Sequence, residues 1–280
     1  MRKHNLADLF GRTLVLVAHP DDECIAAGTL LQRIHEPHVL YTTDGAPRDE
    51  YFWKRYGSRE NYRQLRRAEC TRALAHVGVS HFEFIADARG CHDLFIDQWL
   101  FKALPQAAEQ IAHRIERLQP DAIFTLAYEG GHPDHDSCSL LASVLGREYD
   151  IPVWEAPLYY RAPSREGESG PLKQEFLLAS DSEIHLSPSQ LQMERKAAMC
   201  REYVSQSDFL RYFQLEVEVF RPQVTYDYAR PPHAGLLNYE AWRWPMTGME
   251  VSAEFAKFIA SRSSLSEIRA TAPASQDSKL

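Results

Sequence analysis

The sequence predicts an α/β fold, three layers thick, built on a mostly parallel sheet. Short all-apolar runs recur through the first half of the chain, as expected of strands buried on both faces. Each is followed by a stretch with apolar residues at helical spacing, so strands and helices alternate in βαβ order. The 280 residues allow one large domain or two small ones, and enough core to dispense with disulfide staples.

Residues 14–18 (LVLVA) form the first run. Ala27, Leu30, Leu31 and Ile34 then fall at i, i+3, i+4 and i+7, one face of a helix. Residues 39–42 (VLYT) read as the next strand, closed by the turn dipeptide Asp44-Gly45. A second helix is expected over 64–77, burying Cys70, Ala73, Leu74 and Val77 and ending at Gly78. Residues 82–85 (FEFI) make a further strand, and Leu100, Leu104, Ala108, Ile111, Ile115 and Leu118 set the period of a long helix. Gln119-Pro120 ends it, and 121–126 (DAIFTL) read as another buried strand.

Residues 161–175 are polar and rich in Gly and Pro, an expected exposed loop. Ser187 and Gln190 have capping-box spacing with Pro188 at the first helical position, and Met193, Ala197, Cys200 and Val204 line one face of the helix they open. Residues 208–250 hold many aromatics and several prolines in no assignable period, and 261–280 are expected to fray.

A net charge of -8 gives no broad footprint for nucleic acid or an anionic membrane. No run approaches the roughly 18 apolar residues of a membrane span. The apolar stretch near the N-terminus runs into charge at once and makes a poor signal peptide. Five scattered cysteines, none in a C-x-x-C pair, read as reduced thiols, so a cytoplasmic location is expected.

Two segments carry chemistry. Ala18-His19-Pro20-Asp21-Asp22-Glu23 follows the first strand, and Gly131-His132-Pro133-Asp134-His135-Asp136 follows the strand ending at Leu126. Ligands of open parallel sheets bind beyond the carboxyl ends of the strands, so both segments are expected on one rim. Imidazole and carboxylate suit a divalent transition metal, with His19, Asp22 and His135 as the ligand set and Zn2+ as the cofactor. Asp21 and His132 remain for proton work. Against this stands a blander reading, in which each His-Pro-Asp is a turn whose carboxylate caps the next helix. Two such segments at two strand ends are hard to explain as caps alone.

At these residues the chain resembles the LmbE-like, or PIG-L, zinc-dependent deacetylases, whose hallmarks are A-H-P-D-D-E and H-P-D-H. Thr43-Asp44-Gly45, the stretch from Arg66 to Gly78, and Lys196 through Ser205-Gln206 extend the likeness over roughly residues 12–207. The resemblance implies a Rossmann-like three-layer fold with the active site at the C-terminal ends of the strands. It implies a hydrolase that removes acetyl from an N-acetylated amino sugar or glycoconjugate. By motif position His19, Asp22 and His135 hold zinc, and Asp21 is the general base. His132 stabilises the oxyanion and acts as general acid, while Asp134 orients it and raises its pKa. Arg66 and Asp87 fall where family members contact substrate. Some sugar-thiol members place a tyrosine at the position of Gly130; the nearest here is Tyr128, whose role stays open.

Residues 1–207 are thus expected to form the deacetylase domain, 208–260 an extension packed on it, and 261–280 a flexible tail. The partner is a small N-acetylated molecule, with a homo-oligomer left open. Tyr51, Phe52, Trp53 and Tyr56, interleaved with Arg48, Lys54, Arg55 and Arg59, read either as an aromatic wall for a sugar and an anionic group or as a self-packed insertion. Pro231-Pro232-His233 and Trp242-Arg243-Trp244 read as packing residues before cleft residues. Hydrolysis of another amide, such as a sugar-thiol conjugate, and a non-haem iron oxygenase share the two-His-one-carboxylate set. The oxygenases favour all-β folds. A nucleotide-binding module would need a G-x-G-x-x-G after the first strand, and there is none.

Overall fold

The computed structural model describes residues 3–164 and 169–271, with side chains as far as 262. β1 (Arg12–Val17), β2 (Glu36–Tyr41), β3 (His81–Phe84), β4 (Ala122–Leu126) and β5 (Val153–Ala156) pair in parallel. β6 (Tyr160–Arg161) and β7 (Leu172–Lys173) form a small separate hairpin. β8 (Ile184–Leu186) and β9 (Glu218–Pro222) complete a seven-stranded sheet of order β3-β2-β1-β4-β5-β9-β8, with β9 antiparallel to both neighbours.

Alternation along β1 explains the layers, because successive side chains point to opposite faces. Val15 and Val17 join Val39 and Phe124 on one face, under Cys24, Leu74 and Met199 of α2 (Asp22–Ala27), α3 (Arg59–His76) and α6 (Gln190–Glu202). Leu14 and Leu16 join Leu40 and Ile123 on the other, under Ile111, Leu141 and Phe255 of α4 (Leu104–Leu118), α5 (Pro133–Glu148) and α9 (Gly248–Thr271). Each fully buried aliphatic side chain contributes about 1.5–3 kcal/mol relative to exposure. Short helices α1 (Leu6–Phe10), α7 (Ser207–Leu210) and α8 (Asn238–Ala241) fill the edges.

Several expected elements shift, each for a local reason. The helix after β1 breaks after Ala27 and resumes as a 3-10 turn at Leu30–Gln32, because the Thr29 and Leu30 amides donate to the Glu218 carboxylate. The long helix expected from Leu100 starts at Leu104 with a proline in its first turn, after a separate 3-10 turn at Leu100–Lys102. The capping box of α6 is Ser189 with Gln192, two residues beyond the expected pair. Its buried face carries Lys196, Met199 and Cys200, while Val204 is 67% exposed. The stretch 208–250 includes the sheet strand β9, and α9 continues to Thr271 where fraying is expected from 261. Residues 272–280 lie outside the described residues.

The strand order places the site. The chain runs outward from β1 to β3, then crosses back to β4 on the other side of β1. The connections leaving β1 and β4 diverge there and open a crevice beyond the strand ends.

Candidate metal centre and cleft

The loop after β1 is held from both sides. Asp22 Oδ2 accepts the amides of Ala18 (3.0 Å) and His19 (2.8 Å), which turns the chain back and leaves Oδ1 free to face the crevice. Asp21, at the helix N-cap, has φ 124, a conformation that side-chain-bearing residues rarely adopt. Its amide donates to Glu23 Oε2 (3.1 Å), and Tyr203 of the α6 end donates to the other Glu23 oxygen. Gly45 has φ 70, and a Cβ there would lie 2.9 Å from Pro20 Cδ, so the Thr43-Asp44-Gly45 turn packs directly on the loop.

The loop after β4 is built on buried carboxylates. Asp136 Oδ1 accepts the amides of Glu129 and Gly130, and Glu129 Oε1 accepts those of Leu158 and Tyr159. A Cβ on Gly131 would sit 1.8 Å from the Tyr159 carbonyl oxygen, so only glycine fits. His132 is the N-cap of α5: its Nδ1 accepts the Asp134 amide (3.1 Å). That bond leaves the neutral imidazole's proton on Nε2, which faces Asp97 at 3.5 Å.

The two loops converge as expected. His135 Nε2 lies 3.1 Å from Asp22 Oδ1, and His19 Nδ1 lies 3.6 Å from Asp22 Oδ2. Donor atoms of His19, His132 and His135 lie within 4.8 Å of one another, as do those of His19, Asp97, His132 and Asp134. Both ring nitrogens of His135 are buried without a hydrogen bond among the described residues. Asp21, Asp22, Asp97 and Asp134 crowd the same floor, each at most 5% exposed, with Arg66 the fixed cation between them. Orphaned imidazole nitrogens in a buried surplus of carboxylate fit a divalent cation, which would satisfy both.

Charge within this floor is unevenly held. Burial alone would lower the His19 pKa, but Asp97, Asp22 and the bond to Asp134 outweigh it and raise it well above the usual value. Burial would likewise raise Asp22 and Asp97, yet the neighbouring histidines hold both below the usual carboxylate range. Burial pushes Asp21 up to about 8 despite the Arg66 charge. His132 is pushed down to about 4 by burial and then by His19, which outweigh Asp97 and Asp134. The Asp134 carboxylate, expected to orient His132 and raise its pKa, lies 3.8 Å from His132 Nδ1, and its upward pull on that pKa is outweighed by burial and His19. Its oxygens accept the Gln98 and Leu100 amides and meet His19 Nε2 at 2.9 Å.

Arg66 belongs to the floor, buried and donating to Asp21 Oδ1 (2.8 Å) and Gly45 O (2.8 Å). Asp87 does not join it; it is half-exposed on the outside and pairs with Arg67. Asp97, which touches His19, His132 and Arg66, carries no sequence signal: it is one acid in an irregular stretch, 3.2 Å from His19 Nε2. Tyr128 is turned away, its hydroxyl donating to Arg230 O (2.7 Å), and Gly130 at φ 75 has no room for a side chain beside Leu237.

Above the floor opens a cleft of about 1010 Å³. Tyr51, Phe52, Arg48 and Arg55 of the insertion line it, whereas Trp53 bonds Pro47 O, Tyr56 stacks on Tyr62 and Arg59 pairs with Asp44. Trp242, Arg243 and Trp244 line it too, with the Trp244 ring 4.9 Å from His132. Packing was the expected role of this triplet; the fold instead turns it into the cleft. Pro232 packs by Gly130 and His233 by Tyr160.

A parallel α/β sheet with a histidine–carboxylate centre at its switch point defines the class. Residues 14–145 match the family model described as GlcNAc-PI de-N-acetylase (PIG-L). A probable N-acetyl-alpha-D-glucosaminyl L-malate deacetylase of Bacillus cereus is 28% identical over 129 residues, 44% of this chain and 56% of that protein. The match thus spans little more than half of that relative. Among solved structures, a deacetylase of the teicoplanin biosynthetic pathway (triple mutant) has TM-score 0.59 at 19% identity, covering 77% of this chain and 99% of its own. N,N'-diacetylchitobiose deacetylase of Pyrococcus horikoshii has TM-score 0.50 at 21% identity, covering 75% and 82%. At such identities the two structures establish the fold. Among the described residues no helix is long and apolar enough to cross a membrane.

Proposed function

We propose that this protein is a zinc-dependent hydrolase that removes acetyl from an N-acetylated amino sugar or glycoconjugate. The observation that carries the reading is the meeting of His19, Asp22 and His135, with both His135 nitrogens buried and in no hydrogen bond among the described residues, beside Asp21 and His132 at the bottom of an aromatic cleft. His19, Asp22 and His135 would hold the cation, which when bound supplies Lewis acidity toward the amide carbonyl and makes water a nucleophile near neutral pH.

The chain's own residues do the rest. Asp21 Oδ1 is fixed by Arg66, and its carboxylate takes the proton of the attacking water. Burial keeps Asp21 basic enough for this task. His132, whose neutral ring carries its proton on Nε2, donates a hydrogen bond from there to the developing oxyanion, and the proton that Asp21 took from water passes on to the departing amine. A donor aimed there is worth about 3–4 kcal/mol of barrier. Asp97, 3.5 Å from that nitrogen, favours the tautomer with the proton on Nε2. The aromatic walls exclude water and offer faces to a pyranose ring. Five buried, unpaired cysteines support action in a reducing cytoplasm.

The test couples metal analysis of the purified protein to acetate release over a panel of N-acetylated sugars. About one zinc per chain with acetate release supports the reading. Iron with oxygen-dependent turnover favours the oxygenase, and acetate from no sugar overturns the assignment.

A further inference from the structure

Asp21 is the strained residue of the site. Its φ of 124 is reached by few residues other than glycine, and the residue is 5% exposed. Such a conformation persists only where the surroundings over-determine it. The backbone angle also sets where the side chain points, so whatever holds the Asp21 backbone aims its carboxylate. Arg66 holds the side chain and the Pro20 carbonyl. The first turn of α2 holds the Asp21 carbonyl through the amides of Cys24 (3.1 Å) and Ile25 (3.3 Å). The remaining backbone group, the Asp21 amide, donates to Glu23 Oε2 at 3.1 Å.

Glu23 has no place in the chemistry proposed above. Its side chain is fully buried and does not line the cleft. Its other oxygen, Oε1, accepts the hydroxyl of Tyr203, which is equally buried and also outside the cleft wall. Tyr203 is the C-cap of α6, beyond the stretch matched by the family model. Its seat is firm. Lys196 ties α6 to the Ile25 carbonyl, and the Ser205 amide, two residues past Tyr203, donates to Glu69 Oε1 at 2.8 Å. Glu69 lies on α3 three residues after Arg66, so one helix grips both the Asp21 side chain and the turn that carries Tyr203.

We propose that Tyr203 and Glu23 are positioning residues for the proposed base. Tyr203 fixes the Glu23 carboxylate, Glu23 fixes the Asp21 amide, and the strained backbone so held points Asp21 at the attacking water. α6 thereby acts on the chemistry from behind the metal loop, with no residue of its own in the cleft. This rests on the deacetylase reading above.

Two measurements on the metal-loaded protein test it. The first is kinetic, on the best sugar of the acetate-release panel. Tyr203→Phe should keep about one metal per chain and a KM within about twofold, and lower kcat about tenfold. In an Asp21→Asn background the same substitution should change the residual rate by less than about twofold, because it acts only through Asp21. The second needs no substrate and follows amide hydrogen exchange by NMR. The Asp21 amide should exchange about tenfold faster in Tyr203→Phe, while the amides of β1 keep the parent rate. Where Tyr203→Phe does not fold, Glu23→Met with Tyr203→Phe removes acceptor and donor together, leaves no buried charge, and is read the same way. Parent kcat in the variant, an equal loss with and without Asp21, or unchanged exchange at Asp21 overturns the positioning role and spares the deacetylase reading. Faster exchange at Asp21, with no acetate from any sugar in the parent, overturns the deacetylase reading and spares the tie from Tyr203 through Glu23 to Asp21.

Discussion

Arg66 grips Asp21 through side chain and loop together: Nη2 donates to Asp21 Oδ1 at 2.8 Å and to the Pro20 carbonyl, while Nη1 reaches Gly45 O. One guanidinium thus ties the motif after β1 to the turn after β2 and aims the proposed base. A lysine offers a point charge without the fork. Arg66→Lys should keep the fold and lower kcat about tenfold through looser positioning of Asp21. Arg66→Met should be worse, since breaking a buried pair by removing one partner costs about 3–5 kcal/mol. Thermal melts and steady-state kinetics on the two variants separate these effects, and an Arg66→Lys enzyme of full kcat would sink the positioning role.

Asp21 stands beside the proposed ligands. Asp21→Asn should therefore retain about one metal per chain and lose activity by about 10²-fold or more. His19→Ala and His135→Ala should lose the metal itself. The check is metal content by elemental analysis alongside acetate release; full zinc occupancy in both histidine variants would refute the ligand set.

The orphaned His135 nitrogens make a second, activity-free prediction. A cation that binds only the folded chain stabilises it by mass action, about 2.7 kcal/mol at a hundredfold excess over Kd. Zinc added to chelator-stripped protein should raise Tm in the parent and leave His135→Ala unmoved. Equal shifts in both would place the metal elsewhere.

The sequence revealed the floor of the site better than its walls, for a physical reason. His19, Asp22, His132 and His135 sit in two short segments fixed by local bonds, such as Asp22 to its own loop amides. Their convergence follows from strand order, which alternating apolar runs announce. Asp97 shows no such pattern, because its position depends on Asp134 and Asp44 bonding the amides around it. The capping box of α6 slipped by two residues because two serines, Ser187 and Ser189, offer alternative caps within one turn. Trp242 and Trp244 join the cleft through a turn at positive φ on an arginine, which no residue preference foretells.

Lys196 is buried in α6, where the expected helix face put only apolar residues. Its Nζ donates to Glu218 Oε1 (2.6 Å) and Ile25 O (3.1 Å), and Glu218 in turn accepts the Thr29 and Leu30 amides. One ion pair therefore ties α6, β9 and the broken helix behind the metal loop. Lys196→Met leaves Glu218 buried without its cation and should cost about 3–5 kcal/mol. The double variant Lys196→Met with Glu218→Gln should recover part of that loss. A single variant as stable as the parent in urea would show the pair to be dispensable.

Glu155, fully buried on β5, should give stability a pH dependence. Burial pushes its pKa from 4.5 up to about 7, although Arg221 and Tyr226 both donate to it. An acid whose folded pKa lies above its unfolded value binds more protons when folded. Its contribution is fully present below the unfolded pKa, near 4.5, and is lost as pH rises through about 7. Glu155→Gln keeps an acceptor for Arg221 and removes the titration. Other buried acids, Glu129 and Asp136 among them, slope the same way, so the difference between parent and variant isolates Glu155. Urea melts from about pH 5 to about pH 8 should show parent stability falling relative to Glu155→Gln, by on the order of 1–3 kcal/mol across the range. Parallel curves would mean that Arg221 keeps Glu155 ionised throughout.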